Sequence, residues 1–149
     1  MEGNEKLEKW IQCLTQASQL AYVEGAQGTA RLLGCMQRLA RYSMRSAEWA
    51  PFSEEWERLK DLVEIRRGLF GERIRLYDAP DTALFVPCMS LVEAVGEIGV
   101  FDAPVEDASC EIDVIVQHKQ DTAKGCILLL TVRKTTNEET VEAIREWKL

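Results

Sequence analysis

At 149 residues, with 18 Lys and Arg against 25 Asp and Glu and a formal charge of −7, the chain lacks the general positive surface that binding to nucleic acid or an anionic membrane requires. Its 46% hydrophobic and 29% charged residues are the proportions of an ordinary folded protein, long enough for one good core or two small subdomains. The amino terminus has no apolar signal-peptide core and the chain has no run of about 18 apolar residues, so a cytoplasmic protein without membrane insertion is expected.

Leu7, Trp10, Leu14, Ala17 and Ala21 recur at alternating spacings of three and four, the seam of a helix packed in coiled-coil fashion and ending near Gly25. After Gly28 the same period returns in Leu32, Cys35, Leu39 and Tyr42. Two such helices form an antiparallel hairpin over residues 1–50. A lone hairpin buries one side of each seam, which predicts a homodimer with Leu7, Trp10, Leu14, Leu32 and Leu39 as core candidates. The other possibility is that the seams pack on the chain's own sheet. Arg38, Arg41 and Arg45 make a basic stripe near the end of the second helix, either a solvated face that suits the helix dipole or a docking edge for an acidic partner. With Tyr42 and Trp49, these arginines are the candidate partner contacts.

Pro51 closes the hairpin, and Ser53 with Glu54 and Glu55 suits a helix start. Trp56, Leu59, Leu62, Val63, Ile65 and Leu69 form its apolar stripe, Glu54 with Arg58 and Glu64 with Arg67 pair on the wet side, and Gly71 stops it. I-R-L-Y-D alternates like a strand, and Pro87 suits the first turn of a helix whose apolar face is Leu91, Val92, Val95 and Ile98, with Gly99 past its end. F-D-A-P-V-E-D-A-S reads as a loop. C-E-I-D-V-I-V-Q-H and C-I-L-L-L-T-V-R-K are strands of a hairpin, and Thr136 with Glu139 fits a capping box opening a last helix pinned by Val141, Ile144 and Trp147. The fold class expected is α+β, a helical hairpin followed over residues 51–149 by helices against a small, mostly antiparallel sheet.

R-Y-S-M, then E-I-R-R-G-L-F-G-E-R-I, then P-C-M-S-L-V-E-A-V-G-E-I-G match in order and spacing the sensor histidine kinases of the LytS/YesM type, which the chain resembles over roughly Ala30 to Val132. There an Arg-Tyr pair closes the dimerisation helices, an acidic helix with I-x-x-x-R-F follows, and P-L-V-E-N-A-I-K-H-G is the nucleotide-binding N box. The resemblance implies a dimerisation hairpin and a trimmed ATPase-like α/β sandwich.

It also exposes three losses. The counterpart of the family's phosphoacceptor His falls near Ile11, where the chain reads W-I-Q-C-L-T; its single His, His118, is expected to be an exposed turn residue. The N-box Asn that coordinates magnesium is Ala94, which leaves Glu93 and Gly99 as vestiges and offers Mg²⁺ no oxygen. No glycine follows Gly125, so the D-x-G-x-G loop that would read adenine has no counterpart. Cys13, Cys35, Cys88, Cys110 and Cys126 are widely spaced without a C-x-x-C pair, so reduced thiols, no metal and no cofactor are expected.

Together these imply a kinase relative without catalytic residues, a dimeric regulatory or adaptor module in bacterial two-component signalling whose partner is a response regulator or a sensor kinase. The alternatives are a histidine-type phosphotransfer protein and a small-molecule sensor using the vacated nucleotide cleft.

Overall fold

The computed structural model describes residues 2–45, 47–71, 73–77, 79–80, 83–97, 110–123, 125–137 and 139–149. Helix α1, Glu2–Val23, and helix α2, Gln27–Ser43, are joined by a turn at Gly25, whose φ of 83° suits glycine. The two helices pack on each other, and the Ser18 hydroxyl donates to the Ala30 carbonyl at 3.0 Å. On α1 the buried side chains are Ile11 and Ala21, whereas Trp10 is 68% exposed. Trp10 therefore stands outside the seam that its spacing predicted.

Strand β1, Trp49–Pro51, leads directly into helix α3, Phe52–Phe70, which Gly71 ends in the left-handed region with its N–H on the Arg67 carbonyl at 3.1 Å. No side chain caps the start of α3: its N-cap is Pro51, and the Phe52 N–H donates to the Leu84 carbonyl at 2.9 Å instead. The apolar stripe buries Trp56, Leu59 and Val63 but leaves Leu69 exposed. Glu64 pairs with Arg67 as expected; Glu54 pairs with Arg45 rather than Arg58, which turns to Asp61.

Strands β2, Ile74–Leu76, and β3, Phe85–Pro87, precede helix α4, Ser90–Glu97. Pro87 thus belongs to a strand, because β3 pairs antiparallel with β1 and places Ala50 opposite Val86, both wholly buried. Ile98, Gly99 and the expected loop at 101–109 lie outside the described residues.

Strands β4, Glu111–Asp121, β5, Gly125–Thr135, and β6, Thr140–Lys148, follow. The four-stranded sheet has the order β2-β4-β5-β6, with β2 parallel to β4 and the other pairs antiparallel. The predicted last helix is therefore β6. Thr136 and Glu139, read as a capping box, bond to each other across a turn: the Thr136 N–H donates to the Glu139 carbonyl at 2.9 Å and the Glu139 N–H to the Thr136 hydroxyl at 3.2 Å. The cause is tertiary. An eleven-residue β5 would otherwise leave a long row of unpaired backbone groups, and β6 satisfies them while turning Ala143 and Trp147 toward the core.

One face of this mixed sheet carries Ile112, Val114, Val116, Leu128, Leu130 and Val132 against Trp56, Leu59 and Val63 of α3 and Leu91, Ala94 and Val95 of α4, all in one buried cluster. Each large side chain buried there contributes about 1.5–3 kcal/mol. The architecture is α+β, with four helices among the described residues.

Candidate functional site

A polar cluster forms where α2 ends. Tyr42 is buried, which corrects its reading as a surface contact, and its hydroxyl donates to the Glu55 carboxylate on α3. Glu55 has no exposed surface at all. Its Oε1 accepts the N–H groups of Leu91 at 2.8 Å and Val92 at 3.3 Å, and Oε2 accepts that of Met89 at 3.1 Å. A carboxylate from α3 thus caps the start of α4, the task that the side chain just before the helix, here Met89, would ordinarily perform. The Ser90 hydroxyl has no hydrogen-bond partner among the described residues.

Met89, just before α4, has a φ of 69°, unusual for a side chain and costing on the order of 1 kcal/mol. The bond from its N–H to Glu55 and that from the Glu93 N–H to its carbonyl at 2.8 Å hold it there. Burial, and next the hydrogen bond to Glu55, push the Tyr42 hydroxyl well above the ordinary tyrosine range, so it stays a donor. The node joins α2, α3 and α4. Sequence reasoning read Glu55 as a first-turn acid, which it is, and its place three residues after Phe52 and four before Leu59, both buried, also puts it on the apolar stripe.

A second polar cluster lies further along the α2–α3 contact. Arg38 holds both carboxylate oxygens of buried Asp61, with Nε 3.2 Å from each and a second nitrogen 3.0 Å from Oδ1; Arg58 Nε lies 3.2 Å from Oδ2. The hydrogen bond to Asp61 raises the Arg38 guanidinium above its usual range, and burial, then the Asp61 charge, raises the neighbouring Cys35 thiol. Arg38 therefore works within the chain as well as facing water. Nearby, Leu32 leans on Gly68 so closely that a Cβ there would meet its Cδ2 at 2.6 Å. The α2 seam is thus spent on the chain's own α3 at Leu32, Cys35 and Tyr42, while Leu7, Leu14 and Leu39 are half-buried.

Arg41, Arg45 and Trp49 are, with Arg38, the exposed members of the candidate contact set. Arg45 pairs with Glu54, stacks 5.6 Å from the Tyr42 ring centre, and borders a groove of about 350 Å³ with Ser53, Glu54, Glu57 and Arg58. Arg41 borders another of about 440 Å³ with Glu8, Ile11, Gln12 and Met44. Buried Ile11 forms part of its wall.

Ala94 is 1% exposed and packed in the core cluster, while Glu93 points to solvent. The cavity between α3, α4 and β2 holds about 20 Å³, against the 300 Å³ or more of ordinary ligand pockets. The reading of His118 as a turn residue is corrected: it lies in β4 opposite Leu128, half-buried, with Nε2 buried and lacking a hydrogen-bond partner among the described residues. The described residues hold no group of three or more His, Cys, Asp or Glu side chains suited to a metal ion, and no helix long and apolar enough to cross a membrane. No family model matches the chain, and no curated protein does.

Proposed function

We propose that the protein is a non-catalytic relative of the sensor histidine kinases, a dimeric regulatory or adaptor module of two-component signalling. Its helical hairpin serves dimerisation and its sheet layer is a trimmed, ATPase-like sandwich. The observation that carries this reading is the environment of α4. The helix at the place of the N box is kept as a structural element, capped by Glu55 and packed by Leu91, Ala94 and Val95, with a methyl group in the core where a magnesium ligand would stand. A helix so retained holds the fold together without presenting nucleotide chemistry. The exposed apolar face of α1, with Trp10 and Leu20 in water, supports the dimer, and Arg41, Arg45 and Trp49 flank the hairpin end where a response regulator or sensor kinase would dock.

The test combines titration calorimetry with Mg²⁺ and ATP and sedimentation over a concentration series. A concentration-dependent dimer without magnesium-dependent ATP heat is expected. Micromolar Mg²⁺-ATP binding, or a monomer at every concentration, overturns the reading.

A further inference from the structure

We propose that two copies of the chain associate through α1 in an antiparallel, two-fold arrangement that crosses at the level of Thr15. The inference rests on the dimeric reading above and adds its surface, register and direction. At roughly 100° per residue, Lys6, Trp10, Cys13, Ala17, Leu20 and Glu24 fall within a strip about 80° wide. The strip borders the line of Ile11, Ser18 and Ala21 that faces α2, so it is available while the helix pair stays intact. Trp10 is 68% and Leu20 58% exposed, Cys13, Lys6 and Glu24 are exposed, and Glu24 continues the helical turn through its N–H on the Leu20 carbonyl at 2.9 Å. These are large apolar groups left in water at helical spacing, with a cation at one end and an anion at the other.

The order along the strip fixes the direction. Lys6 and Glu24 are equally far from Thr15, as are Trp10 and Leu20, and Cys13 and Ala17. An antiparallel copy turned about a two-fold axis there sets Lys6 against the partner's Glu24, Trp10 against the partner's Leu20 and Cys13 against the partner's Ala17, each contact made twice, as an isologous interface requires. The bulky Trp10 meets a smaller aliphatic group, and the small pair at the centre lets the helices approach. A parallel pair would instead set Lys6 on Lys6 and Glu24 on Glu24, like charges at both ends, and align the helix dipoles unfavourably. The occupant that the strip complements is the strip itself. A helix about 33 Å long with one such strip covers less than the roughly 800 Å² a side of a standard interface, so the dimer is weak, with dissociation in the micromolar range.

A charge-reversal cycle read by sedimentation at low salt tests the arrangement on exposed positions that do not hold the fold. Lys6→Glu and Glu24→Lys should each weaken the dimer about tenfold, and Lys6→Glu with Glu24→Lys in one chain should restore it, because both end contacts are then reversed together. Trp10→Ser should weaken it further than either single reversal. A dimer whose strength is unchanged by both single reversals overturns the antiparallel register and leaves the dimeric reading standing. A wild-type chain that stays monomeric at every concentration overturns both.

Discussion

On one side of the helix pair α2 buries a hydroxyl against a carboxylate; on the other, α1 leaves a tryptophan and a leucine in water. The polar contact of Tyr42 with Glu55 is inside because each of its groups finds a partner, and the carboxylate also meets three backbone N–H groups at the start of α4. Trp10 and Leu20 are outside because α2 already occupies the adjacent line of α1. The difference teaches that burial in this chain follows the supply of partners: a carboxyl group with four donors belongs to the interior as firmly as Leu59, and large apolar side chains without a neighbour in the chain stay in water.

Removing the centre of the buried node has the largest expected effect. Glu55→Ala leaves the Met89, Leu91 and Val92 amides and the Tyr42 hydroxyl without their acceptor and should cost at least about 3 kcal/mol in urea unfolding. A loss below about 1 kcal/mol would show that water takes the place of the carboxylate. Gly68→Val acts on the same side through sterics, forcing Leu32 off α3 at about 1–3 kcal/mol in thermal unfolding; adding Leu32→Ala should recover part of that loss, since it removes the atoms in the way.

Tyr42→Phe is milder, about 1–2 kcal/mol, and carries a pH signature. The folded-state pKa of Tyr42 is raised above its unfolded value of about 10, so the stability it contributes is complete below that pH and is lost as pH rises beyond it. Unfolding curves taken upward from pH 9 should converge for wild type and Tyr42→Phe; a constant gap would remove the hydroxyl from the account. The smallest effect on folding is expected on the open side, where Trp10→Ser should change monomer stability by no more than about 0.5 kcal/mol while weakening association.

Legibility in the sequence followed the same division. The period of Trp56, Leu59 and Val63 announced α3, and the β-rich runs around Val114 and Leu130 announced a strand pair, because each pattern is local and each element buries the face it predicts. Glu55 is the first-turn acid it was read as, but its second role, as a buried acceptor, was passed over because the dipole alone explains such a residue, although its place on the apolar stripe was visible. Tyr42 was taken for a contact residue on the strength of its basic neighbours. The last element was missed for another reason: Thr136 and Glu139 make a four-residue pattern that serves a helix cap and a hairpin turn equally well.

By itself the sequence determined the α+β class, the two N-terminal helices and the Gly71 stop. These depend on composition or on residues within a few positions of one another, where backbone geometry dictates the outcome. Only the tertiary structure decided that Thr140–Lys148 is a strand, that Glu55 caps a helix more than thirty residues away, that His118 faces into the layer, and that the α2 seam is satisfied at Leu32 and Tyr42 by its own α3 while α1 stays open. Each of these turns on which distant group arrives to bury a side chain or satisfy a donor, and spacing along the chain carries no record of that.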